Sequence, residues 1–140
     1  MSDKGFSPVE HTADIGLRLW GKAAEDLFCS AFKGLLYLAD RGEGISSDTE
    51  TRHIKIDSPD MESLLVDFLN ELLYMINNGN WIPAEIDGIC ISGTGLECSI
   101  RGGSCDPANG KGREIKAATY HNLEISKNDD TMTTIVYFDT

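Results

Sequence analysis

The sequence predicts an α+β fold: a mixed β-sheet packed against two amphipathic helices, in a single domain spanning residues 1–140. Three observations predict it. Apolar residues alternate with period two early in the chain, at Ile15, Leu17 and Leu19. Two later segments switch to helical spacing, and the second half returns to extended runs divided by glycine-rich or polar turns. Strands, two helices and then more strands fit together when both helices bury their apolar stripes on one face of a sheet.

The elements follow in order. The first strand is Ile15 to Trp20, where Gly16, Arg18 and Trp20 take the opposite side, and Gly21 ends it. From Ala23 to Asp40 the spacing becomes helical, with Leu27, Ala31, Leu35 and Leu38 on one stripe and Phe28 and Phe32 beside it. A loop, Arg41 to Thr51, leads to a short strand, Arg52 to Asp57. Ser58-Pro59 then starts a helix, serine as cap and proline in the first turn. Its stripe runs from Leu64 to Ile76, and Asn77-Asn78-Gly79 closes it. Ala84 to Ser92 and Leu96 to Arg101, separated by Gly93-Thr94-Gly95, read as a hairpin. Gly102 to Gly112 is a glycine-rich loop, and the last extended segments are Ile115 to Ser126 and Thr131 to Asp139, joined by a polar turn.

Composition narrows the function classes. No run approaches the roughly 20 apolar residues that span a bilayer, and Met1 to Gly5 offers no signal-peptide core, so a cytoplasmic location is expected. The net charge of -11, with 12 scattered lysines and arginines, argues against direct binding to nucleic acid. Such acidity either keeps a small protein soluble or forms a face that docks on a basic protein or collects a cation. Cys29, Cys90, Cys98 and Cys105 form no C-x-x-C pair, so a zinc knuckle is not expected; reduced, mostly buried structural thiols are expected.

Three places hold polar residues that a fold alone does not demand: His11 to Gly16, Lys116 to Glu124, and the terminal Val136 to Thr140. Asp14 starts the first strand and Asp139 ends the last. If those strands are antiparallel neighbours the two carboxylates converge, and the α-carboxylate of Thr140 adds oxygens. Crowded carboxylates repel unless a cation or proton lies between them, and an all-oxygen set suits Ca²⁺ or Mg²⁺. The alternative is that Asp14 is a turn or capping residue and Asp139 a solvated end. His11 and His121 read either as structural histidines or as groups facing a partner. Lys116 either contacts phosphate or lies along the sheet with its ammonium in water. Nothing forms a nucleophile and base pair at a recognisable spacing. Trp20 and Trp81 pack in the core or line a surface groove.

The blocks His11-Thr12-Ala13-Asp14-Ile15-Gly16 with Trp20-Gly21, Leu64 to Tyr74, Lys116 to Leu123, and Phe138-Asp139 resemble the archease family, in the family's order and over nearly the whole chain. The resemblance implies an α+β fold with a bound divalent cation, usually calcium, on Asp14, Asp139 and Thr140. It also implies a partner, the tRNA-splicing RNA ligase that joins a 2′,3′-cyclic phosphate end to a 5′-hydroxyl end. Members of the family promote guanylylation of that ligase and let it turn over repeatedly, and they are not themselves enzymes. The chain departs from the pattern at Gly103 to Gly110, where many relatives carry a histidine after the aspartate. It departs again at Ala118, usually β-branched, and at Thr140, usually aliphatic. Two rival functions use the same residues. One is a metal-dependent nucleotide phosphohydrolase, for which His121 is the attractive base. The other is a chaperone-like modulator of nucleic-acid-processing enzymes.

Overall fold

The computed structural model describes residues 3–11, 14–39, 45–105 and 114–140, with the side chains of 10, 11, 45–48 and 105 left aside. The elements are β1 (Gly5–His11), β2 (Asp14–Gly21), α1 (Ala24–Ala39), β3 (Ile45–Asp57), α2 (Met61–Gly79), β4 (Trp81–Ser92), β5 (Gly95–Cys105), β6 (Ala117–Ala118), β7 (Ser126–Asn128) and β8 (Thr131–Asp139). No helix among the described residues is long and apolar enough to cross a membrane.

The α+β class with two helices is as the sequence predicts, and the strands divide between two sheets instead of one. The first has the order β1-β2-β8-β6, with β7 also pairing β8; the second has the order β3-β5-β4. Every pairing among the described residues is antiparallel, so neither sheet is mixed. The division follows from the two broad helix stripes. Helix α1 packs on β1, β2 and β8 and also reaches β4, while α2 packs on β3 and β4 and reaches β6. Each helix thus buries more than one side, and one sheet face cannot cover both. The core joins them: Leu17, Leu19 and Phe138 from the first sheet, Ile100 from the second, and Phe28 and Phe68 from the helices, their rings 5.6 Å apart. Gly34 lets α1 approach closely, since a Cβ there would fall 2.8 Å from Leu17 Cδ1.

Several boundaries differ from the sequence expectation for identifiable reasons. Strand β1 precedes the first predicted strand. Pro8 interrupts its donor pattern but is tolerated because β1 is a sheet edge. Strand β3 reaches back to Ile45, into the expected loop, through a register shift between Ile45 and Thr49; residues 40–44 lie outside the described set. Strand β5 runs on through Gly102 and Gly103, which read as loop. Gly102 is there because a Cβ would run into the Ile82 carbonyl oxygen and fall 2.8 Å from the Trp81 ring; residues 106–113 are not described. The expected segment Ile115 to Ser126 pairs only at β6 and β7. Between them the chain leaves the sheet, turning at Asn122 (φ 53°) and tied down by Ile125 N–H donating to Glu62 Oε2 (3.1 Å) and Thr134 Oγ1 donating to the Glu124 carbonyl (2.9 Å).

Helix α2 is capped by Asp60, whose Oδ1 accepts from Ser63 N–H (2.7 Å), and this interaction holds the Asp60 carboxyl below its usual range. Ser58, expected as the cap, instead donates to Asp67 Oδ2 (2.6 Å). The helix ends at a left-handed Asn80. Among the cysteines, Cys98 is buried, and desolvation pushes its thiol up to about 12; burial raises Cys29 as well, whereas Cys90 is exposed. All three are free. The Cys105 side chain lies outside the described residues.

Candidate functional site

The site is built by sheet register. Along β2, Leu17 and Leu19 are wholly buried against the helices, so Asp14, Gly16, Arg18 and Trp20 take the outer face by alternation. Along β8, Thr134, Val136 and Phe138 are buried, which puts Thr133, Ile135, Tyr137 and Asp139 outward. Strands β2 and β8 are antiparallel neighbours with Ile15 opposite Phe138 and Gly16 opposite Tyr137. One further step brings Asp14 opposite Asp139, and residues so placed have Cβ atoms about 4.5–5.5 Å apart. Asp139 is also opposite Ala117 on its other side, and His11 is opposite Asp14. The first sheet therefore ends in the row His11, Asp14, Asp139, Ala117.

Both carboxylates and Thr140 are exposed, and neither aspartate forms an ion pair among the described residues. No group of three or more His, Cys, Asp or Glu side chains suited to a metal ion occurs among those residues. The side-chain donors at this end are the oxygens of two carboxylates. That set fits a hard, oxygen-seeking cation such as calcium or magnesium, and lacks the nitrogen and sulfur ligands of a zinc site.

The next row explains Gly16. The Tyr137 ring lies over it, with Cδ1 2.9 Å and Cε1 3.0 Å from where a Cβ would stand. Tyr137 in turn carries His121, whose ring packs edge-on at 6.0 Å. Thr119 anchors this loop, its N–H and Oγ1 both donating to the Tyr137 carbonyl (2.9 and 3.1 Å). His121 is thus one row from the carboxylates, exposed, with Nε2 3.3 Å from Asn122 Nδ2. Tyr120 beside it is 57% exposed.

Lys116 enters through its backbone, donating N–H to the Asp139 carbonyl (2.8 Å), while its side chain is exposed and unpaired among the described residues. Helix α2 supports the same segment: Asn70 Oδ1 accepts from Ala118 N–H (2.7 Å), and Asn77 Nδ2 donates to the Ile115 carbonyl (2.9 Å). These asparagines explain polar residues beside the helix stripe. For His11 the structure gives the backbone position only, and Thr12-Ala13, between the two strands, lie outside the described residues.

Sequence reasoning named Trp20 as a residue that packs in the core or lines a groove, but missed the residues that join it on the other half of this face. Arg18, Trp20, Asn122 and Glu124 line a groove of about 630 Å³ with Ser7 and Thr133. The available signal was parity, because Arg18 and Trp20 are two and three alternations from Asp14. Trp81, by contrast, is fully buried.

Comparison with known proteins gives a consistent picture. The pattern of the Archease protein family matches residues 6–140. The chain is 36% identical to the protein archease of Methanosarcina barkeri, covering 93% of each. It is 34% identical to that of Thermotoga maritima, covering 95% of this chain and 98% of the relative. In structure it resembles a crystallised archease, described as a possible chaperone, from Thermotoga maritima, with TM-score 0.68, 31% identity and 96% of each chain covered. It also resembles the solution structure of Methanobacterium thermoautotrophicum protein 1598, with TM-score 0.73, 26% identity, and 97% and 99% covered.

Proposed function

The chain belongs to the archease family, and from that premise we propose that it is an accessory protein, not itself an enzyme, which activates a tRNA-splicing RNA ligase. In this reading it promotes the ligase's guanylylation and multiple turnover, with a divalent cation held at the Asp14 and Asp139 end of the first sheet. The observation that carries the reading is the register of β2 on β8, which sets one carboxylate against the other on an exposed face. Asp14, Asp139 and a main-chain oxygen of Thr140 would hold calcium or magnesium. When bound, that cation neutralises the paired carboxylates and offers a positive centre to an incoming oxygen ligand.

The protein's own residues position this edge. Lys116 N–H fixes the Asp139 carbonyl, and Asn70 and Asn77 fasten the Lys116 segment to α2. The exposed His121 and Lys116 face outward beside the carboxylates as partner contacts, with His11 in the same row. A net charge of -11 suits docking on the basic surface of an RNA-handling enzyme, and disfavours direct RNA binding. The protein would work in the cytoplasm with its ligase, without a membrane.

The test measures ligase turnover with and without the protein, in defined calcium or magnesium, alongside calorimetric titration of the protein with each cation. Stimulated guanylylation and a saturable heat that disappears in Asp14→Asn are the expected results. Equal cation binding by the variant would sink the site assignment. Hydrolysis of GTP by the isolated protein would replace the activator with a phosphohydrolase based on the same carboxylates and His121.

A further inference from the structure

The groove at the far end of the first sheet's outer face carries features that the paired carboxylates do not use. It begins at Arg18, about 13 Å along β2 from Asp14 at ordinary strand rise, and its 630 Å³ lies within the range of small-molecule sites. Arg18 is exposed and has no ion pair among the described residues, although Glu124 lines the same groove. A guanidinium without an ion pair among the described residues stands out in a chain of net charge -11. Ser7, directly opposite Arg18, and Thr133, opposite Trp20, place hydroxyls on either side of it.

Trp20 forms the platform. Its indole is laid across Gly5, where a Cβ would fall 2.7 Å from Cζ2 and 3.0 Å from Cε2. One side of the ring therefore rests on the edge strand, and the half-exposed indole lines the groove. Glycine at position 5 is what allows the ring to lie down. Such an aromatic surface stacks with planar heterocycles, as aromatic side chains do with bases in single-stranded nucleic-acid sites. Arg18 suits a phosphate, which it meets through two parallel N–H donors. Glu124 and Asn122 supply acceptors and donors for the edge of a ring.

We propose that this groove binds a mononucleotide, with the base stacked on Trp20, the phosphate on Arg18 flanked by Ser7 and Thr133, and Glu124 accepting from a base or sugar N–H or O–H. The assignment involves no turnover and does not use Asp14 or Asp139. The chain's net charge opposes a long polyanion, but a single phosphate meets the local guanidinium at short range, where that cation dominates.

The experiment titrates the full chain with nucleoside monophosphates, following calorimetric heat and the two indole N–H resonances; Trp81, fully buried, serves as internal control. Parallel titrations use the unphosphorylated nucleoside, ribose 5-phosphate and inorganic phosphate. The expected result is saturable binding of the nucleotide with Kd near 1 mM or below, about −4 kcal/mol. The resonance that moves is the one lost in Trp20→Phe. Arg18→Gln, an exposed substitution checked for folding by its thermal melt, weakens binding about tenfold, the loss of one charge-assisted contact, whereas Asp139→Asn leaves it unchanged. The proposal is overturned by no saturable binding, by equal binding of ribose 5-phosphate or of the nucleoside, or by an unaffected Arg18→Gln. Should Arg18→Gln fail to fold, Glu124→Gln and Gly5→Ala, which lifts the indole, take its place: weaker binding supports the groove, and unchanged binding in both overturns it.

Discussion

The outer faces of the two sheets make opposite use of charge. On the second sheet, charged and polar side chains find partners across the strands. Arg101 bridges Glu85 and Asp87, Lys55 pairs with Glu97 at 3.6 Å, and His53 Nδ1 meets Ser99 Oγ at 2.8 Å. On the first sheet, Asp14 and Asp139 stand opposite each other, and Arg18 and Glu124 share a groove, with none of the four in an ion pair among the described residues. A face whose charges satisfy one another has no electrostatic demand left for a ligand. A face with like charges aligned, and a guanidinium without an ion pair among the described residues, leaves charge that a ligand could meet.

The largest expected effect comes from removing one member of the aligned pair. Asp139→Ala should abolish cation binding and stimulation of the ligase while leaving the melt within about 0.5 kcal/mol of the parent, as for an exposed strand end. Removing like-charge opposition should raise the metal-free melt slightly. A collapsed melt would make the pair structural and erase the contrast with the second sheet.

A second comparison uses the same small change on both faces. Gly16→Ala drives a methyl into the Tyr137 ring and should cost about 1–3 kcal/mol in thermal unfolding, loosening His121 with it. Gly88→Ala, on the second sheet, meets nothing within 4 Å and should stay within about 0.5 kcal/mol. Similar costs at both positions would mean that Tyr137 yields freely and does not hold its loop.

Smallest of all is Arg101→Ala. Its partners are exposed, so the loss should be about 0.2–1 kcal/mol, reduced further by salt. Cation binding and ligase stimulation should be unchanged. A marked fall in either would show that the second sheet is not merely a solvated support.

What was legible in the sequence follows from whether a signal is local. Leu17 and Leu19, the stripe from Leu64 to Ile76, and the Gly93-Thr94-Gly95 turn declare their elements within a few residues, and all three appear in the structure. β1 was hidden by Pro8, and the segment Ile115 to Ser126 read as one strand because β6 and β7, only two and three residues long, give no signal of where pairing stops. The division into two sheets could not be read locally, since it depends on which partners each strand finds across the chain. The candidate site splits along the same line. Asp14 and Asp139 could be named as strand ends, but their opposition is a matter of register between residues far apart in sequence. The groove needed the parity of β1, β2 and β8 together with a loop that leaves the sheet, so Arg18 and Asn122 passed unnoticed.

The pairing of β2 with β8 also has a consequence for when the protein can work. The second sheet lies within one continuous stretch, residues 45–105, so β3, α2, β4 and β5 can associate as soon as they have left the ribosome. The first sheet closes only when residues 131–139 return to the strand begun at Asp14. Until then β2 pairs with β1 and packs under α1, a two-stranded sheet without the strand that completes it. At about 5–20 residues per second of synthesis, the 125-residue separation of Asp14 and Asp139 (139 − 14) keeps the aspartates apart for roughly 6–25 s. The carboxylate row is thus assembled last, and a chain interrupted before β8 carries Asp14 without its counterpart.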